Sequence, residues 1–255
     1  MVMVNSFTFE KLETSSVCKH AVSMKDSSEA YTFSMALHTG EEEKKVVENR
    51  MKFVSVLGWD EKMHFVTAKQ THSTHIRIIE TNMNLGWETF DSAVEDCDAL
   101  ITNQKNLALC IVTADCVPIL LCDTKQRVIA AVHAGWKGTK EELVLKTVEK
   151  MIRYFHCDPQ DIIAGIAPAI GRCCYEVGKD VAQHFYHLSH TYDKNSDKYM
   201  LDLPLINREQ LLSAGLKNKN IEMSGICTSC DVEHFFSYRK EQGCAGRFMS
   251  MISLC

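Results

Sequence analysis

Three short segments of this 255-residue chain carry side-chain types that can do chemistry. The first, Ala114-Asp115-Cys116-Val117-Pro118, lies between two apolar runs. A buried carboxylate without a partner is costly, and Pro118 forces its predecessor into an extended or turn geometry. The segment is therefore expected to break the strand ladder and expose Asp115 and Cys116 to a cleft. The second, His133-Ala134-Gly135-Trp136-Lys137-Gly138-Thr139, joins a strand end to a helix start, where open α/β sheets place ligands. Its two glycines, the free N–H groups of a helix start and the charge of Lys137 predict a phosphate site spanning Gly135, Lys137, Gly138 and Thr139. The spacing is not that of a Walker P-loop. The third is the polar turn Gln70-Thr71-His72-Ser73-Thr74-His75. In an extended turn its two histidines point apart, so one imidazole is expected to face the cleft. Each segment alone has a plain alternative: a core cysteine beside a turn aspartate, a tight turn ending in a satisfied histidine, or a solvated loop.

Taken together, His72, Cys116 and His133 make a three-ligand zinc site, which leaves the fourth position for water. Zinc lowers the pKa of that water and makes it a nucleophile at neutral pH. A metal-free arrangement uses the same atoms: Cys116 as thiolate nucleophile, His133 as base and Asp115 as orienting group. Copper is a third option, since blue-copper sites use two histidines and a cysteine, but one trio cannot supply several coppers. Other cysteines carry less weight. Cys227-Thr-Ser-Cys230 has no second CxxC to close a four-cysteine zinc site, and Cys173-Cys174 lies at a strand-to-loop junction. Structural packing is the expectation for both pairs.

The elements that must position these residues are legible from periodicity. Strands are expected at Phe65–Ala68, Ile76–Glu80, Ala99–Thr102, Leu107–Thr113, Ile119–Asp123, Val128–His133, Ile162–Ile166, Phe235–Arg239 and Phe248–Leu254. Leu107–Thr113 is apolar on both parities, which predicts a strand buried on both faces. A helix is expected from Thr139 to about Phe155, opened by a Thr139/Glu142 capping box and burying Val144, Val148, Met151, Ile152 and Phe155. Others are expected from the charged run Glu41–Lys45 through Arg50, near Val177–His187 and at Pro204–Ala214. This mixture is α/β or α+β.

Composition sets the outer bounds. Hydrophobic residues make up 45% and charged residues 24%, which excludes a disordered or collagen-like chain. A net charge of −5 offers no basic field for nucleic acid or an anionic membrane. Asp115 interrupts the most apolar long segment, Leu107–Cys122, which argues against a membrane span. The N-terminal residues lack the pattern of a secretory signal, so a cytoplasmic chain with reduced cysteines is expected. Of the 12 cysteines, all but Cys116, Cys173 and Cys174 then read as small packing residues. No linker or repeat divides residues 1–255, and one domain is expected.

These motifs resemble those of the YfiH-like, laccase-domain family, also described as multicopper polyphenol oxidases and as zinc-dependent purine nucleoside phosphorylases. The resemblance runs from about His20 to Leu254. It is carried by Glu48-Asn49-Arg50, Gln70-Thr71-His72-Ser73, Asp98-Ala-Leu100, Ala114-Asp115-Cys116-Val-Pro118, His133-Ala-Gly-Trp-Lys-Gly138 and Ile166-Ala-Pro-Ala-Ile-Gly171. Further carriers are Cys173-Cys174-Tyr175-Glu-Val177, Leu201-Asp202-Leu203, Cys227-Thr228 and Phe235-Phe-Ser-Tyr-Arg239. It implies a compact domain of layered mixed β-sheets flanked by helices, similar to the deamidase domain of cytotoxic necrotizing factor. It implies metal ligation by His72, Cys116 and His133. It also implies phosphorolysis of adenosine, inosine, guanosine and 5′-methylthioadenosine, and deamination of adenosine, with purine nucleosides and phosphate as partners. In deamination the activated water would attack C6 of adenine, with Asp115 as proton carrier. A Cys116–His133 hydrolase or deamidase on a peptide or cell-wall precursor, copper-dependent phenol oxidation and a non-catalytic binding module are the other readings. One departure stands out. Family members carry Ser-Thr-Arg-x-Gly-Gly after the N-terminal histidine, whereas His20 here is followed by Ser23-Met24-Lys25-Asp26-Ser27-Ser28. Lys25 is the charge left to stand in for that arginine, without its bidentate fork.

Overall fold

Leu107–Thr113 is apolar on both parities because something covers each of its faces, and that requirement organises the fold. The computed structural model describes residues 6–59, 62–188, 192–195, 197–243 and 246–255. The chain begins with β1 (Ser6–Phe7), α1 (Glu10–Thr14), β2 (Cys18–Ser23), α2 (Glu43–Val56), β3 (His64–Val66), β4 (Ile76–Ile78) and β5 (Ala99–Thr102). It continues through β6 (Leu107–Thr113), β7 (Val117–Asp123), β8 (Val128–Ala134), α3 (Trp136–Lys140), α4 (Leu143–Phe155) and β9 (Ile162–Ile166). The last part holds β10 (Glu176–Val177), α5 (Lys179–Ala182), β11 (Tyr192–Asn195), β12 (Lys198–Leu201), α6 (Leu203–Ser213), β13 (Ile221–Met223) and β14 (Phe248–Leu254).

One sheet runs in the order β13-β9-β7-β8-β5-β4, a second in the order β1-β2-β14-β6-β3, and β10-β12-β11 form a small third. The two large sheets face one another. Leu100, Leu120, Cys122, Ile129 and Ala131 from the first meet Leu107, Leu109, Ile111, Phe248 and Ile252 from the second. The alternate residues of β7 and β8, among them Ile119, Leu121, Ala130 and Val132, pack outward on α4 and α6. Ala108, Cys110 and Val112 of β6 turn the other way, towards Phe53 and Val54 of α2. The result is a helix–sheet–sheet–helix stack, the layered mixed α/β architecture expected. No described helix is long and apolar enough to cross a membrane.

Four expectations need correction. The helix read from Thr139 to Phe155 is two helices. Glu142 takes a left-handed φ of 58° and separates α3 from α4, and the capping box does not form. The Thr139 hydroxyl instead accepts a hydrogen bond from Asn207 of α6 (2.9 Å). Pro118 does not break the ladder. Its carbonyl accepts the Ala167 N–H (2.9 Å), so its own nitrogen faces the same side, just before the β7–β9 pairing begins at Ile119. The missing N–H therefore costs only the reciprocal bond at the end of the β7–β9 pairing, and the β7–β8 ladder runs through Pro118 intact. Phe235–Arg239 is a loop, buried at Phe235, Phe236 and Ser237 and exposed at Tyr238 and Arg239, rather than a strand, because the N–H groups of Ser237 and Arg239 go to the carboxylates of Glu241 (2.8 Å) and Asp115 (2.6 Å). Val177–His187 is mostly not α-helical: it spans the end of β10, the short α5 and a 3₁₀ turn.

Candidate metal centre

The candidate site lies between the two large sheets, at the end of β8. His133 follows Ile129 and Ala131 in parity, so its ring points into the inter-sheet space rather than towards α4. Across the ladder from it, one residue before β5, stands Asp98. The Asp98 carbonyl accepts the His133 N–H (2.7 Å), and its carboxylate accepts from His133 Nδ1 (2.7 Å). Asp98 is fully buried and also accepts from the Ser73 N–H (2.6 Å), the Ser73 hydroxyl (2.7 Å), the His72 N–H (3.2 Å) and the Thr71 N–H (3.3 Å). One carboxylate therefore folds the 70–75 turn onto β8. Burial alone would raise its pKa, but the His133 and Ser73 hydrogen bonds hold it below the ordinary carboxylate value.

That turn delivers His72, held at φ 61°, with Nε2 3.7 Å from Cys116 Sγ. The His72 and His133 rings meet edge to face at 4.9 Å. The ligand atoms of His72, Cys116 and His133 all lie within 4.8 Å of one another. One ion about 2.0–2.3 Å from two nitrogens and a sulfur requires separations of this size. His75 turns away to an exposed pair with Asp96 (2.8 Å), as the extended-turn reading anticipated. Gly135 completes the trio from below. A Cβ there would stand 2.8 Å from the His72 ring and 3.1 Å from Cys116 Sγ, so only glycine leaves both side chains where they are.

Electrostatics make the donors ready. Burial would raise the Cys116 thiol, but the charge and hydrogen bond of His133, with the His72 contact, bring it down to about 6. Burial would lower His133, but the Cys116 thiolate and Asp98 push it up to about 9. Both shifts favour the same proton transfer, from the Cys116 thiol to the His133 ring. With Asp98 on Nδ1, His133 presents Nε2 to the trio, the arrangement that orients a metal-ligating histidine.

The trio opens into a cavity of about 420 Å³, lined also by His38, Gln70, Asp115, Tyr175, Tyr238, Arg239 and Arg247. Asp115 has both carboxylate oxygens engaged, by the Thr228 hydroxyl (2.7 Å) and the Arg239 N–H (2.6 Å). Arg239 stacks on Tyr175 and Arg247 on Tyr238. Desolvation, then the nearby Arg247 and Arg50 charges, hold His38 down to about 4.

The residues expected to bind phosphate separate. Gly135 touches the trio, and Lys137 lines an adjoining groove with Ser73, Thr74 and Lys140. Gly138 and Thr139 are buried residues of α3 itself, against Leu143 and Asn207. Lys25 is not at the cavity. It pairs with Glu241 (2.8 Å) beneath the Phe236 ring, and Arg247 brings a guanidinium into the cavity instead. Sequence reasoning held Asp98 and Tyr238 inside motifs without a role and missed His38 and Arg247. Asp98 had a visible signal, a carboxylate opening an apolar strand. Cys227 and Cys230, read as packing residues, meet Cys173 and Cys174 in one cluster. Cys244 lies outside the described residues.

A layered α/β fold with a His–Cys–His ligand set at the floor of a polar, aromatic-walled cavity defines a small-molecule pocket protein of metal-binding type. The chain belongs to the family described as multi-copper polyphenol oxidoreductase laccase, whose model matches residues 19–255. It is similar to the purine nucleoside phosphorylase YlmD of Bacillus subtilis (strain 168), with 31% identity covering 88% of this chain and 82% of that protein. It is also similar to the adenosine deaminase RL5 of an unknown prokaryotic organism, with 32% identity covering 84% of each. The solved structure of the Bacillus licheniformis hypothetical protein YfiH shares the fold with a TM-score of 0.92 and 32% identity, covering 99% of this chain and 97% of that one. Purine nucleoside phosphorylase and adenosine deaminase are thus the activities named among its relatives.

Proposed function

We propose that the protein is a zinc-dependent purine nucleoside phosphorylase, also acting on 5′-methylthioadenosine, that deaminates adenosine to inosine as well. One observation carries this reading: His72, Cys116 and His133 share a cavity with two tyrosines and two arginines. Aromatic faces suit a purine ring and guanidinium groups suit phosphate. The names of the relatives support the same substrates.

His72, Cys116 and His133 would hold the ion, and two imidazoles with one thiolate are a donor set for zinc that keeps one position open. Bound there, zinc supplies Lewis acidity and activates water at neutral pH. Three protein ligands make one such centre, which does not fit oxidation by several coppers. Asp98 keeps the proton on His133 Nδ1 and so aims Nε2 at the ion. In phosphorolysis, phosphate attacks C1′ of the ribose and the base leaves with the N9 electron pair. Arg239 and Arg247 orient the phosphate and the tyrosines hold the base. Lys137 adds a cation in the adjoining groove. Gly138 and Thr139 act through the turn they build, not by touching phosphate. In deamination, water adds at C6 and ammonia leaves, with Asp115 as the proton carrier.

A second reading rests on the depressed Cys116 thiol beside His133: a thiolate nucleophile with an imidazolium partner in a hydrolase or deamidase. One experiment separates the two. Metal-quantified protein is incubated with adenosine, with and without phosphate, and adenine, ribose 1-phosphate and inosine are followed. Adenine and ribose 1-phosphate that appear only with phosphate, and stop on chelation, support the phosphorylase. No product from zinc-loaded protein overturns it, and product that survives complete chelation favours the thiolate.

A further inference from the structure

Four cysteines outside the pocket converge from two distant parts of the chain. β9 and β13 run parallel side by side, and the segments leaving them stay paired: Ala169 bridges Cys227, and the Thr228 N–H donates to the Ala169 carbonyl (3.1 Å). The first segment carries Cys173 and Cys174, the second Cys227 and Cys230. Cys230 Sγ lies 3.5 Å from Cys173 Sγ and 3.4 Å from Cys174 Sγ, and all four sulfurs are within 4.8 Å of one another. The N–H groups of Cys230 and Asp231 both donate to the Cys227 carbonyl (3.1 and 2.9 Å), a tight turn that sets the two CxxC sulfurs on one side. The Gly171 N–H donates to Cys227 Sγ (3.2 Å). Such a donor stabilises a thiolate. A side chain on Gly171 would crowd Cys227 Cβ (3.2 Å) and Cys173 Sγ (3.4 Å), so glycine lets the two segments close.

Packing does not explain this arrangement, because Cys173 and Cys230 are exposed. A disulfide does not either. Its sulfurs stand about 2.05 Å apart, whereas here Cys230 is nearly equidistant from two partners. One tetrahedral ion about 2.3 Å from four sulfurs sets them about 3.8 Å apart, inside the observed range. An iron–sulfur cluster would spread its four cysteines wider than this.

We propose that Cys173, Cys174, Cys227 and Cys230 form a structural site for one zinc ion, distinct from the His72–Cys116–His133 centre. The ion enters as the four thiols give up their protons to solvent, forming four zinc–thiolate bonds with no change in oxidation state. With every position filled by protein the site is closed to substrate. It ties together the two segments that hold Asp115, through the Ile170 N–H (2.9 Å) and the Thr228 hydroxyl (2.7 Å). Its purpose is to brace the cavity wall that bears Tyr175 and Arg239. The proposal shares no ligand with the proposed catalytic centre and stands whether or not the protein acts on nucleosides.

The test uses the full chain under reducing conditions, with zinc and cobalt as probes. Wild type is expected to bind two zinc ions, and the C227S/C230S and C116A variants one each. Cobalt titration should give the strong thiolate charge-transfer and tetrahedral bands of a four-sulfur site in wild type and C116A, absent from C227S/C230S. In wild type and C116A alike, bound zinc should protect the exposed Cys173 and Cys230 from alkylation, and a chelator should release them. Equal alkylation with and without zinc, no four-sulfur cobalt spectrum, or a disulfide among these cysteines in the reduced protein each overturns the proposal.

Discussion

Asp98 does more for the candidate centre than any residue that lines it. Its buried carboxylate accepts from His133 and from three consecutive residues of the 70–75 turn, so it sets both the tautomer of His133 and the position of His72. D98N replaces an acceptor oxygen with a donor NH₂ facing donors. The expected result is a roughly 10- to 100-fold weaker hold on zinc, read by chelator competition on folded protein. Gly135 provides a cleaner probe. Its φ of −73° suits any residue, so G135A should leave the unfolding midpoint nearly unchanged. The added Cβ must nonetheless displace His72 or Cys116, so metal affinity should fall; unchanged affinity would contradict the close approach described here. Sequence alone offered both residues inside motifs but not their jobs. Asp98 is 26 residues from His72 and 35 from His133. Only strand pairing brings them together.

At the scale of elements, the Glu48-Asn49-Arg50 motif is structural. Asn49 donates to the Ala30 and Ser34 carbonyls (2.9 and 3.0 Å). Arg50, buried in α2, donates to Met35 O (2.6 and 2.9 Å), Gly86 O (2.7 Å) and Trp87 O (2.6 Å) with its guanidinium against the Trp87 ring. Three chain segments meet on that fork, which an ammonium cannot reproduce. R50K should cost about 3 kcal/mol or more in urea unfolding, because buried carbonyls lose their donors and a charge is left poorly partnered. The paired strands β5, β6, β9 and β14 were legible in full, since each is a mainly apolar run with no charged residue inside it. The α3–α4 break was not, because Thr139 has two uses and the choice between a cap and a bond to Asn207 belongs to α6, 68 residues away.

Across the whole molecule, the join between the two large sheets is expected to weaken in acid. Phe9 lies over Gly165 of β9, where a Cβ would come within 2.5 Å of its ring, and the Phe9 N–H donates to His20 Nε2 of β2 (2.7 Å). Burial holds His20 down to about 4, outweighing the Glu13 and Glu222 carboxylates that favour its charge. Between its ordinary value of 6.5 and about 4, the unfolded chain takes up a proton that the folded chain does not. His20 therefore leaves stability intact above pH 6.5 and lowers it as the pH falls towards 4. H20Q, which keeps an acceptor without the titration, should flatten the fall in unfolding free energy by up to about 1.4 kcal/mol per pH unit in that window. An unchanged slope would contradict this assignment.

By itself the sequence determined the layered α/β class, most of the central strands and the residue types of the His–Cys–His cluster, because those depend on local apolar periodicity and on motifs a few residues long. The tertiary structure decided which carboxylate serves His133, that Lys25 pairs with Glu241 while Arg247 enters the cavity, and that four cysteines in two segments share one point. These are contacts between residues far apart in the chain. Their geometry is set by which strands pair and in what register, and no local pattern carries that information.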